Sequence, residues 1–264
     1  MEDCKNEGIL NQIKSKCIFN KLRNDYFLQK TFNNLQKKKS LEIVKYNNNN
    51  KQRLNLNIND YKKYCETYSS IEIEIIPNDN YCDIFINIKD EDKIYYHIYF
   101  NDKKEEVEIY YLGKNNNISK INIIIDYQVQ SFKYLFFDGH CISSIYFKKF
   151  SRNNITDMSW MFGWCSSLKE LNLTNFNTDN VTDMNHMLFK CSSLEKVTIP
   201  NFNSTKVTNM SSMFQECYLL KDLDLYNFDT NNVTDMRYMF NGCSKELKNK
   251  IKSEYKNIKE EAFL

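Results

Sequence analysis

Glycine and proline are scarce in this chain of 264 residues, at five and two. The glycines are scattered, which excludes a phosphate-cradling loop, since that needs several close together. No apolar run approaches the ~20 residues of a membrane helix. Met1-Glu-Asp-Cys-Lys leads into no apolar stretch either, so the expectation is no membrane span and no signal peptide. An excess of one charge is missing: 36 basic side chains face 34 acidic ones, net +2. That balance speaks against a nucleic-acid surface. The nine cysteines are an odd number and include no Cys-x-x-Cys pair. Neither structural zinc nor a disulfide framework is expected, and free buried thiols in a reducing cytoplasm are. Lys, Asn, Ile, Tyr and Phe are abundant.

Only three histidines are present, His97, His140 and His186. Phe137-Asp-Gly-His140-Cys141 has the look of catalytic punctuation. Adjacent residues seldom face each other as nucleophile and base, however, and a bend is the better reading. No cofactor, no metal site and no enzyme activity are expected.

What the chain does have is a repeat of 26 residues. Cys165-Ser-Ser-Leu168 returns as Cys191-Ser-Ser-Leu194, and the cysteine position recurs at Cys217 and Cys243. The β-branched position is Ile155, Val181, Val207 and Val233. Methionines recur at 158, 184, 210 and 236 and again at 161, 187, 213 and 239. A worn copy precedes them, from Val129 to Phe150, with Gly139 at the cysteine position. Leu171-Asn-Leu173 and Leu223-Asp-Leu225 alternate as strands do. Val181, Met184, Met187/Leu188 and Cys191 fall at helical spacing, with Thr182 or Asp183 placed as an N-cap. Each unit therefore predicts strand, bend, helix, bend, and stacking would bury what one unit cannot. The cysteine and methionine columns are read as core filler. The column Asn175, Asn201 and Asn227 is read as a ladder satisfying turn backbone. Calcium, the alternative there, lacks a matching loop.

The string Cys-Ser-Ser-Leu-x-x-Leu-x-Leu-x-x-Phe-x-Thr-x-x-Val-Thr-x-Met-x-x-Met-Phe-x-x-Cys resembles the BspA-like leucine-rich repeat over about residues 129–243. The resemblance implies a curved solenoid used for binding, in a family with many exported surface members. Leu188-Phe189 for Met-Phe and Pro200 after a strand depart from the pattern.

The expected fold is thus an α+β repeat protein. A leucine-rich-repeat solenoid of 26-residue strand-helix turns occupies residues 127–243. A helical segment (1–68) and an antiparallel β-meander (69–126) precede it. The meander's last strand, near Ile121–Ile125, is expected to form the first rung, and a capping helix (244–264) closes the other end. Within 9–66, Leu28, Phe32, Leu35, Leu41 and Val44 are similar in spacing to an F-box, without that family's Leu-Pro start and tryptophan.

Binding is expected where the frame repeats but the side chains vary. The outward strand positions are Tyr146 and Lys148, Glu170 and Asn172, Lys196 and Thr198, and Asp222, Asp224 and Tyr226. A second varying pair of columns carries Trp160 and Trp164, then His186 and Lys190. The two tryptophans would be either exposed anchors or cover for a domain junction. The leading expectation is a monomeric, non-catalytic scaffold in the cytoplasm that binds a protein partner through the strand face. The alternatives are an F-box-like adaptor of a ubiquitin ligase and a surface adhesin. The latter would give meaning to the Asn-x-Ser/Thr triplets at Asn154, Asn172, Asn180, Asn203, Asn209 and Asn232.

Overall fold

The computed structural model describes residue 52 and residues 69–78, 84–113, 117–199, 202–226 and 228–264. The chain divides into Met1–Tyr68 and Ser69–Leu264, and the sheet and the repeat units belong to the second of these. The helical segments and F-box-like spacing of 9–66 lie outside the described residues.

Six strands form one mixed sheet: β1 (Ile71–Pro77), β2 (Tyr96–Phe100), β3 (Ile121–Ile125), β4 (Ile142–Lys149), β5 (Glu170–Asn172) and β6 (Lys196–Thr198). Their order is β2-β3-β1-β4-β5-β6. Alternation decides which faces turn inward: Ile71, Ile73 and Ile75, Ile121, Ile123 and Ile125, and Tyr96, Ile98 and Phe100 are buried. The expected meander is not sequential. β1, rather than β3, lies against β4, antiparallel, with register shifts at Glu72/Ile73 and Ile76/Pro77. Between β3 and β4, β1 has both of its edges paired. β2, with its half-buried His97 and Tyr99, takes the sheet edge. The strand expected near Val107–Tyr111 reduces to an isolated bridge, Ile84 to Tyr111.

The leucine-rich-repeat solenoid of strand-helix turns is not what forms. Among the described residues of the second unit, the only α-helix is α1 (Lys245–Glu254), beside short 3-10 segments at Asp90–Tyr95 and Glu260–Phe263. No 26-residue unit contains a helix; each carries a ridge of tight turns instead. In one unit Met161 N–H donates to Met158 O, Gly163 N–H to Trp160 O and Cys165 N–H to Phe162 O, each three residues back. The alternate amides leave the unit altogether. Met158, Trp160, Phe162 and Trp164 N–H donate to Asp183, Asn185, Met187 and Phe189 O of the next unit at 2.7–3.0 Å. The reason is conformational. Trp160 and Trp164 have φ of 59° and 64°, and His186/Lys190, Ser212/Glu216 and Tyr238/Gly242 repeat this left-handed state. A left-handed residue every fourth position breaks an α-helix and builds turns. Asp183 accordingly caps no helix; its Oδ1 accepts from Asn185 N–H at 2.9 Å, an Asx-turn.

The core is the repeat seen end-on. Phe136 stacks on Phe162, and Phe214 on Phe240, with centroids 5.6 Å apart in both pairs. Leu188 interrupts this column between Phe162 and Phe214. The cysteines do more than fill space. Cys165, Cys191, Cys217 and Cys243 each donate Sγ–H to a backbone oxygen one unit back (Phe136, Phe162, Leu188 and Phe214) at 3.0–3.2 Å. Burial raises the pKa of Cys191 and Cys217 well above the ordinary thiol value and that of Cys243 to about 12, so the donor proton stays in place.

Both ends of the ridge are closed. At the first unit, Asn87 supplies two donors, its N–H to Leu135 O at 2.7 Å and Nδ2 to Phe137 O at 2.8 Å. At the last, Glu261 O and Ala262 O accept from Tyr238 and Phe240 N–H. α1 leads there, capped by Ser244, whose hydroxyl accepts from Leu247 N–H, and it buries Leu247 and Ile251.

Candidate functional site

The strand face carries the varying side chains outward. Tyr146 and Lys148 on β4, Glu170 and Asn172 on β5, Lys196 on β6, and Asp222, Asp224 and Tyr226 are exposed, while Thr198 is half-buried. Tyr226 is 85 % exposed. Two of them are held by neighbours within the fold. Lys148 is drawn into the antiparallel part of the sheet by Glu74, 2.5 Å from its Nζ. Asn172 Oδ1 accepts from Thr174 N–H at 2.9 Å.

Five of these residues, Glu170, Lys196, Thr198, Asp222 and Asp224, line a groove of about 540 Å³ together with Glu195, Lys221, Val197, Ile199 and Leu223. Its charges are largely paired. Lys221 Nζ lies 2.8 Å from Glu195, and Lys250 of α1 lies 2.5 Å from Asp222. These partners hold the Glu195 and Asp222 carboxyls below their ordinary range. Asp224 Oδ1 accepts from Tyr255 Oη–H at 3.1 Å. Lys196 has no carboxylate at ion-pair distance among the described residues. Glu195 and Lys221 escape a reading of the sequence because they precede the strand alternation; their signal is a varying column, Lys169, Glu195 and Lys221, one repeat apart.

On the turn ridge, Trp160 and Trp164 have different surroundings. Trp160 is half-buried between Tyr134 (6.0 Å, 28°) and His186 (4.0 Å, 6°). Trp164 is 37 % exposed, with Lys190 Nζ 4.1 Å from its ring centre. Burial pulls His186 below the usual histidine pKa.

His140 has partners that the sequence did not reveal. Its Nδ1 is hydrogen-bonded to Ser166 Oγ at 2.7 Å, and its Nε2 lies 2.9 Å from Asp138 Oδ1. Cys141 is buried beneath, its Sγ 3.6 Å from Ile84 O. His140 and Ser166 hold the same register position in successive units, so this chain also ties two units together. Among the described residues no group of three or more His, Cys, Asp or Glu side chains is placed to hold a metal ion.

A further polar column holds Thr178, Ser204 and Thr230, one repeat apart. Thr178 Oγ1 donates to Asn203 O and accepts from Asn203 N–H, both at 2.8 Å. Ser204 does the same with Asp229. In the first full unit this position is Arg152. It is fully buried, it donates through Nη1 to Asp126 O, and burial lowers its pKa to about 10. Asn175 Nδ2 reaches back to Phe147 O at 3.2 Å although the residue is exposed; Asn201 and Asn227 lie outside the described residues.

Residues 127–255, a little under half of the chain, match the family described as "Mycoplasma protein of unknown function, DUF285". The chain is similar to that family over the span that holds the repeat units. This agrees loosely with the BspA-like resemblance and brings no support for a leucine-rich repeat or an F-box. No curated protein and no solved structure matches. No helix among the described residues is long and apolar enough to cross a membrane.

Proposed function

We propose that the Ser69–Leu264 unit is a non-catalytic protein-binding module that engages its partner through the exposed strand face. The observation that carries this reading is the groove at β6. It gathers outward side chains of three successive repeats, with both signs of charge, around a concave floor. Fixed core columns with variable side chains above them suit recognition, because the variable residues can change without disturbing the packing. A reducing compartment such as the cytoplasm belongs to the same reading, in keeping with the five free, buried thiols among the described residues.

The test is a charge reversal that spares the core. Full-length protein and the triple variant Lys196→Glu, Asp222→Lys, Asp224→Lys are used to capture partners from extract of the native cell, with circular dichroism and thermal unfolding as fold controls. The variant is expected to lose at least tenfold of the capture seen with wild type. Unchanged capture of every partner by a folded variant overturns the strand-face assignment.

A further inference from the structure

One seam between repeat units is open. β4 and β5 pair in parallel over three residues, and so do β5 and β6. Beyond β5 the pairing continues, Leu173 N–H donating to Thr198 O at 2.8 Å. Advanced by one repeat, the same geometry would join Ile199 N–H to Asp224 O, but that bond is absent. Between β6 and residues 222–226 only the bridge Lys196 to Asp222 remains, and Lys221 N–H reaches Glu195 O at a stretched 3.4 Å. The ridge side of these two units is fully closed. Met184, His186, Leu188 and Lys190 N–H donate to Asn209, Ser211, Met213 and Gln215 O at 2.8–3.0 Å. The units therefore splay like a wedge, and the groove lies in the wedge. On the β6 wall Val197 and Ile199 are each 7 % exposed, against 1 % and 2 % for Leu171 and Leu173 one unit earlier, while Leu223 and Leu225 on the facing wall stay at 2 % and 1 %.

An opened parallel seam has chemical consequences. Ile199 N–H, and Asp224 N–H across the groove, have no acceptor among the described residues. Amides set along a strand edge bind an extended chain, whose carbonyls they match in spacing. Among the described residues Lys196 is a groove cation with no carboxylate at ion-pair distance, while Lys221 and Lys250 are engaged by Glu195 and Asp222. A carboxylate on the incoming chain would supply what Lys196 lacks.

We propose that the seam between β6 and residues 222–226 takes an extended peptide segment bearing an acidic side chain, its backbone paired along Ile199 and its carboxylate on Lys196. This rests on the protein-binding reading above and narrows it to strand addition by an acidic linear segment.

The test uses the full chain and a displayed library of random linear peptides. The best selected sequence is synthesised and titrated by fluorescence anisotropy. Strand addition is expected to yield sequences containing Asp or Glu. Their affinity should fall at least tenfold with Lys196→Glu, thermal unfolding serving as the control that the variant is folded. It should fall likewise when alternate peptide amides are N-methylated, which removes backbone donors without touching the protein. Failure to select any peptide overturns the inference, as does binding indifferent to N-methylation at every position. A dimer in sedimentation that Lys196→Glu dissociates would assign the seam to a second copy and also overturn it. A partner lost by the triple charge reversal but not displaced by the selected peptide leaves the strand-face reading standing and defeats only the seam.

Discussion

The imidazole of His186 lies flat on the indole of Trp160, ring centroids 4.0 Å apart and planes 6° from parallel. Burial holds His186 below the ordinary histidine pKa. The unfolded chain therefore binds the proton more readily than the folded one. The contribution of this site is complete above the unfolded pKa, about 6.5, and is lost as pH falls from there through the folded value. Tryptophan emission should drop over the same range, since a protonated imidazole quenches a stacked indole. His186→Asn keeps a residue tolerant of φ 53° and should abolish the emission change. An unaltered pH–fluorescence curve in that variant would count against the assignment.

His97 should show the opposite sign. Burial pulls its pKa down, but Glu106 at 3.0 Å from Nδ1 and Asp126 at 3.5 Å from Nε2 outweigh it, and the net shift is upward. Its stabilisation is present in full below the unfolded pKa and disappears as pH rises through the folded one. Glu106→Gln should lower the melting temperature more at about pH 6 than at about pH 8, where wild type has lost the charge pair as well. Equal effects at both pH values would reject the pairing.

The cysteine column should be chemically silent until the unit unfolds. Alkylation at about pH 8 followed by peptide mass mapping is expected to leave Cys165, Cys191, Cys217 and Cys243 unmodified in native protein, because the thiolate is the reactive form. Cys191→Ala should cost about 1–2 kcal/mol in denaturant unfolding, from a cavity and a lost donor to Phe162 O. A cost near zero would return the column to mere filling.

Ser212 sits at φ 56° in the ridge position where left-handed backbone recurs. A non-glycine residue there costs about 1–2 kcal/mol, and glycine's larger unfolded-state entropy takes back about 0.5–1. Ser212→Gly is therefore expected to stabilise by about 0.5–1 kcal/mol, and Ser212→Val to destabilise, in chemical denaturation.

The Asp138–His140–Ser166 chain invites a hydrolase reading, and the ridge argues against it. An acyl-transfer site needs converging donors for the oxyanion. Around Ser166, however, the N–H groups of Trp164, Cys165, Ser166 and Leu168 all donate to backbone oxygens. A fluorophosphonate probe is expected to leave Ser166 unlabelled in native protein. Labelling that vanishes with His140→Gln would make the site catalytic.

The period of 26 is readable because identical side chains meet at every unit: a Cys, two Met and a β-branched residue face the same core. Helix and turn ridge cannot be told apart from spacing alone. Met184, Met187, Leu188 and Cys191 point inward in either case. What separates them is the left-handed backbone of residues such as Trp160, His186 and Lys190, and those side chains give no warning of it. Both columns stand out only because they vary, which is what outward-pointing residues do. The hydroxyl column Thr178, Ser204 and Thr230 is visible in the letters but easily passed over beside the larger apolar pattern. The open seam is not written in any single residue. It follows from how two units meet, and its one sequence trace is Pro200, which brings no N–H to the position held by Thr174 and Tyr226.

The alternate amides of the ridge, such as Met158, Trp160, Phe162 and Trp164, all point the same way, from an N–H of one unit to a carbonyl of the next; the threonine N–H at the start of each ridge, as at Thr182 and Thr208, reaches back. Peptide dipoles stacked in one direction add, as they do along a helix axis. The repeat units thus form an electrical pile laid crosswise to the chain. Its negative pole lies at the Leu135 and Phe137 carbonyls, where Asn87 donates, and its positive pole at the Tyr238 and Phe240 amides. Glu260 and Glu261 stand at that positive pole. The two ends are therefore not interchangeable. A duplicated 26-residue block could be spliced into the middle and extend the pile, whereas exchanging the two closing segments would set like pole against like.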